Sequence, residues 1–183
     1  MRMPMGTKVA GLIICGLLSA AAHGQGTILF STFIPGAANV DARVQGPDGR
    51  GFGAHGGSAQ LYMVDGFTYT ALTPATTFRT DSPIAEFYVV PPSDAVVVPG
   101  IGAGEQATIV MRAWYGGPTF DSAAIKGETI PLTITLGGTP AGGGAPLPPA
   151  FLAGLQGFTA FPEPSVTALA LLGAALFLHK RKV

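Results

Sequence analysis

The chain has 183 residues, a formal net charge of zero, one cysteine, 27 glycines, 16 prolines and 48% hydrophobic residues. That length holds one domain of ordinary size plus processing segments. Its glycine and proline, joined to abundant Val, Ile, Phe, Tyr and Thr, point to short strands linked by turns rather than to disorder. The charge is segregated: between positions 25 and 161 five bases stand against nine acids, a net of about −4, which excludes a basic patch for nucleic acid.

Residues 1–24 carry Arg2 and Lys8, an apolar run from Val9 to Leu18, and small residues at Ala20-Ala21-Ala22 and Ala22-His23-Gly24. This three-part order is that of a secretory signal peptide, with cleavage expected near Ala22 or Gly24. Cys15 lies inside the apolar run behind Ile14, where no small residue offers a lipoprotein cut. The exported chain would then have no disulfide and would depend on a packed core.

From residue 25 to 136 the pattern predicts strands at Thr27–Ile34, Ser58–Val64, Thr76–Thr80, Ala85–Val90, Ala95–Val98, Glu105–Tyr115 and Thr129–Leu136. Asp65-Gly66 between SAQLYMV and FTYTALT predicts a hairpin with a type I′ turn, which needs positive φ at both central residues. Along Glu105–Tyr115 the alternation sends Ala107, Ile109, Met111, Ala113 and Tyr115 one way, and Thr108, Val110, Arg112 and Trp114 the other. Ser122–Lys126 reads as one turn, and Pro131 places its strand at an edge or near its start. The expected fold is all-β, an antiparallel β-sandwich of immunoglobulin-like or Greek-key type, flanked by an N-terminal signal helix and a single C-terminal transmembrane helix. Residues 137–161 read as a Gly/Pro-rich linker that could carry a last strand.

Catalytic and metal motifs are sparse. Gly51-Phe52-Gly53-Ala54-His55-Gly56 fits G-x-G-x-x-G but lacks the strand before and helix after that a dinucleotide site requires, so it reads as a glycine-rich loop. His55 is the one histidine between the two ends, so a Ser-His-Asp triad would have to use it. No G-x-S-x-G elbow accompanies it, and it reads as an exposed loop histidine. One histidine without cysteine gives no ordinary zinc site, and Asp41 with Asp48-Gly49 lacks the D-x-D-x-D-G spacing of a calcium loop. No catalytic residue, metal site or cofactor is assigned. Trp114 and Tyr62 could stack on sugar rings from one exposed sheet face, although large aromatics ordinarily fill cores.

Residues 162–183 read Pro162-Glu163-Pro164, an uncharged run from Ser165 to Leu178, and then Lys180, Arg181 and Lys182 after His179. As a helix, the run would span about 21 Å, against about 30 Å for a bilayer core, so it is short for a permanent anchor. The terminal bases would hold that end in the cytoplasm. In this order the three parts resemble the PEP-CTERM sorting signal of Gram-negative bacteria. That resemblance implies an exosortase and the export machinery as partners, transient residence in the inner membrane, and exopolysaccharide as usual company. The body, through Gln25-Gly26-Thr27, Ala59-Gln60-Leu61-Tyr62, Phe78-Arg79-Thr80, Met111-Arg112-Ala113-Trp114 and Gly154-Leu155-Gln156-Gly157-Phe158, resembles small verrucomicrobial proteins of the same class. The implied function is that of an exported, non-enzymatic protein at the cell envelope, surface or extracellular matrix, structural or adhesive. The alternative is a carbohydrate-binding module for exopolysaccharide.

Overall fold

The computed structural model describes residues 24–36 and 38–162. The expected signal and transmembrane helices lie outside the described residues. Within them no helix is long and apolar enough to cross a membrane.

Short strands account for nearly all the regular structure. In chain order they are β1 (Gly26–Leu29), β2 (Phe33–Ile34), β3 (Val40–Asp41), β4 (Val44–Gln45), β5 (Ser58–Asp65), β6 (Thr68–Ala71), β7 (Thr76–Thr77), β8 (Val96–Val98), β9 (Gln106–Tyr115), β10 (Ile125–Glu128), β11 (Leu132–Thr135), β12 (Gly137–Gly138), β13 (Ala150–Phe151), β14 (Phe158–Thr159) and β15 (Phe161–Pro162). Two single 3₁₀ turns, Phe52–His55 and Ala85–Phe87, join them.

The larger sheet is antiparallel and is built on β9, its longest strand. β5 lies along one side of β9, in register from Ser58↔Trp114 to Met63↔Ile109. β10 and β11 share the other side, one along each half of β9. The gap between them is Thr129-Ile130-Pro131, where Pro131 has no N–H for a ladder. Thr129 bridges it: its N–H donates to the Met111 carbonyl (3.0 Å) and its hydroxyl accepts from the Met111 N–H (3.0 Å). β6 and β7 pair with β5, and β15 pairs with β10.

The smaller sheet centres on β1, with β8 on one flank and β12 then β13 on the other. The β1–β13 and β4–β14 pairs are parallel. One apolar cluster draws on both sheets: Ile28, Val96 and Val98 from the smaller, Leu61, Ile109 and Met111 from the larger. With no disulfide in the described residues, this buried cluster supplies the main favourable term in folding.

Several local expectations change. The hairpin turn is Gly66-Phe67, one residue later than Asp65-Gly66, because Asp65 still pairs with Thr68. Positive φ occurs at Gly66 (57°) and not at Phe67, the requirement of a type II′ rather than a type I′ turn. Ala85–Phe87 is a 3₁₀ turn rather than a strand; only Val89, beyond it, makes a bridge, to Phe78. Ile125 and Lys126, read as the end of a turn at Ser122–Lys126, begin the strand Ile125–Glu128, which is held by β9.

The segment 137–161 differs most from its reading as a linker. Both of its ends belong to sheets, and Leu152, Leu155 and Ala160 are buried in the core cluster. Its glycines serve close approach there: a Cβ at Gly137 would lie 1.9 Å from the Pro148 carbonyl oxygen, and one at Gly157 would lie 2.1 Å from that of Arg43. The stretch Ala141–Pro149 between them is exposed.

Candidate functional site

The outer face of the larger sheet holds both residues considered for sugar stacking. Tyr62 and Trp114 project from β5 and β9 on the side away from the core cluster. Trp114 is 6% exposed, with the Phe120 ring edge-on to it at 6.3 Å. Its ring is therefore covered and offers no face to a sugar. Tyr62 is half-buried, and burial pushes its hydroxyl above the usual tyrosine range.

Between them stands Arg112. Its guanidinium carbon lies 4.0 Å from the Tyr69 ring centre, 4.6 Å from Phe120 and 4.8 Å from Tyr62. Its Nε donates to Glu128 at 2.8 Å. The aromatic faces that could have met a ligand are thus occupied by the chain's own cation, an arrangement that favours Arg over Lys because the planar guanidinium stacks.

The glycine-rich stretch is a structural corner. Gly53 permits close approach, since a Cβ there would lie 1.8 Å from the Arg79 carbonyl oxygen. Gly56 ends the 3₁₀ turn at φ 65°, and Phe52 is wholly buried. His55 is not an isolated loop residue: its ring stacks on Tyr115 at 4.6 Å, and Nε2 lies 3.1 Å from an Asp48 carboxylate oxygen. The contact is a close approach, and Nε2 has no hydrogen-bond partner among the described residues. The Arg50 backbone N–H, with His55 adding to it, holds the Asp48 carboxyl below the usual range. Among the described residues no Ser or Thr hydroxyl bonds to His55.

Asp41 and Asp48 are used separately. Asp41 accepts from the Tyr88 hydroxyl at 2.7 Å and from Arg43 Nε at 3.3 Å. The Tyr88 hydrogen bond, followed by Arg43, holds the Asp41 carboxyl below the usual range. Among the described residues no three His, Cys, Asp or Glu side chains converge on a point that could hold a metal ion.

Surface depressions open elsewhere among the described residues. One, of about 500 Å³, runs beside the β5–β6 hairpin and is lined by Met63, Asp65, Pro99, Ile101 and Thr108. The other, of about 270 Å³, is lined by Phe33, Arg43, Arg79, Ser82, Ile84 and Tyr88. Three stretches, around Phe33, around Arg43 and from Arg79 to Tyr88, supply its wall, and no sequence motif marks it.

Of the tail, Pro162 is described: it is exposed in β15 and pairs with Ile125 at the edge of the larger sheet. Glu163, Pro164, Ser165–Leu178 and Lys180, Arg181 and Lys182 lie outside the described residues, as does Ala22. Gly24 is described, two residues before β1, so close to Thr139 that a Cβ there would lie 1.8 Å from its carbonyl oxygen. Comparison with family models, curated proteins and solved structures gives no match to this chain.

Proposed function

We propose that this chain is an exported, non-enzymatic protein whose two sheets pack as an antiparallel β-sandwich. Its tail acts as a PEP-CTERM-type sorting signal, which directs the body to the cell envelope, surface or extracellular matrix. There the body has a structural or adhesive role. An exosortase and the export machinery are its processing partners, and the inner membrane is a transient station.

The observation that carries this reading is the order of the tail: Pro-Glu-Pro, a short uncharged run, then a basic cluster, opposite an N-terminus of signal-peptide pattern. The position of Pro162 supports it. The motif's first residue stands exposed in the edge strand β15. A core cluster fed by both sheets supports the sandwich.

To test it, cells producing the tagged full chain are fractionated beside cells producing a chain that lacks Pro162–Val183, and the mass of the mature protein is determined. A shift of the truncated chain out of the envelope fraction, together with processing of the full chain at both ends, is expected. An unchanged location and mass would remove the sorting claim.

The alternative, a carbohydrate-binding module that stacks sugars on Trp114 and Tyr62, loses its main residue to burial. A sugar site on this body would need another surface.

A further inference from the structure

We propose that the depression between Arg43 and Arg79 is a binding site for a ring-borne carboxylate, such as a uronic acid residue in an acidic polysaccharide or a free small ring carboxylate. Its wall combines two cations with an apolar side. Arg43 and Arg79 approach from different segments, one between β3 and β4 and the other just after β7. Phe33 and Tyr88 pack with ring centres 4.8 Å apart, and Ile84, 73% exposed, forms the open rim. Ser82 adds a hydroxyl.

Both guanidiniums are held without being used up. Arg43 engages Asp41 and Tyr88 through Nε at 3.3 and 2.9 Å. Arg79 donates from Nε to the Val89 carbonyl at 3.3 Å, and among the described residues no carboxylate pairs with it. Nε contacts of this kind fix the plane of each guanidinium and leave the terminal amino groups for a ligand. Of the acids near the groove, Asp41 is engaged with Arg43 and Tyr88 and Glu86 with Arg50 at 3.7 Å, while Asp81 is exposed two residues beyond Arg79. Arg43 and Arg79 are the charged side chains in the groove's own wall, and Asp41, paired with Arg43, stands outside it.

The chemistry of the occupant follows. A planar fork matches a carboxylate bidentately. The apolar wall needs a ligand with a flat or aliphatic face, and a volume of about 270 Å³ holds one six-membered ring with its carboxylate. The open rim lets a chain continue on either side of that ring.

The full chain, purified in detergent, is titrated by calorimetry at about physiological salt with a galacturonate oligomer, with the matching neutral galactose oligomer, and with benzoate. Saturable binding of at least one carboxylate and none of the neutral sugar is expected. Arg79→Gln and Arg43→Gln should each weaken binding tenfold or more, and Ile84→Ala on the exposed rim a few-fold. Lys126→Gln, which removes the same charge elsewhere, should leave it within twofold. Oligomer binding tighter than benzoate by tenfold or more identifies an acidic glycan; equal binding identifies a small free carboxylate. Absence of binding by both carboxylates, or equal weakening by Lys126→Gln, overturns the site. The inference does not depend on sorting: a correctly sorted chain without carboxylate affinity refutes this site alone, and a mis-sorted chain that binds refutes the other reading alone.

Discussion

Arg112 and the pair Arg43–Arg79 place the same side chain in opposite circumstances. Arg112 is enclosed: three rings cover its guanidinium, Glu128 takes its Nε, and its side chain is 18% exposed. Arg43 is 59% exposed, and among the described residues the Arg79 side chain has a single backbone carbonyl as its partner. The enclosed arginine lies on the long central strand, where cross-strand neighbours arrive in register and fill every side of it. The open ones lie on loops at the margin, where no ladder delivers partners. Aromatic residues near a cation are therefore not in themselves a binding surface. What matters is whether the cation is already filled by the fold.

The largest effect that would sharpen this contrast comes from Arg112→Ala. It removes stacking on three rings and leaves Glu128 without its partner, a loss of about 2 kcal/mol in denaturant unfolding. A loss near zero would mean that the cage is merely surface decoration. Phe120→Ala comes next, at about 1 kcal/mol for a half-buried ring. Because Trp114 is the only tryptophan, its fluorescence reports the opening directly: emission should shift to the red and iodide quenching should rise.

The smallest effect lies on the open side and appears only in acid. The Asp41 carboxyl is held low in the folded state, chiefly by the Tyr88 hydroxyl. A lowered folded value means that its contribution is fully present above the ordinary carboxylate range of about 4. It is lost as pH falls through the lowered value. Asp41→Asn should therefore flatten the acid limb of a stability–pH curve and leave the pH dependence near neutrality unchanged. An altered slope near neutrality would contradict the assignment.

How much of this was legible in the sequence depended on whether the determining contacts are local. The alternation along Glu105–Tyr115 and Ser58–Val64 located β9 and β5 to within a residue, since a period of two is written in the strand itself. Ile125–Glu128 was not legible, because IKGE has little strand preference and is held by the β9 ladder, with Gly127 making room for Phe158. In the 137–161 segment a last strand is present, as β14, but the linker reading of its glycines does not hold, for the same reason. Glycine signals freedom in a sequence, but Gly137 and Gly157 are there so that backbone can pass close to backbone. Their partners, such as the Gln45–Thr159 side-chain bond across 114 residues, are invisible to any local window. Trp114 and Tyr62 were correctly placed on different strands of a sheet, yet the sequence gives no sign that Phe120 folds over Trp114. Phe33, Arg43 and the stretch from Arg79 to Tyr88 are separate in the chain, and no spacing could have joined them.

The division of labour between the two kinds of arginine is tested most directly by measuring melting temperature and carboxylate binding together for Arg79→Gln and Arg112→Gln in the full chain. The account predicts a crossed result. Arg79→Gln keeps the melting temperature within about 2 °C, a shift worth well under 1 kcal/mol, and loses binding. Arg112→Gln lowers the melting temperature by several degrees and still binds at the temperature where it remains folded. Parallel losses in both variants, or binding that depends on Arg112 and not on Arg79, would contradict it.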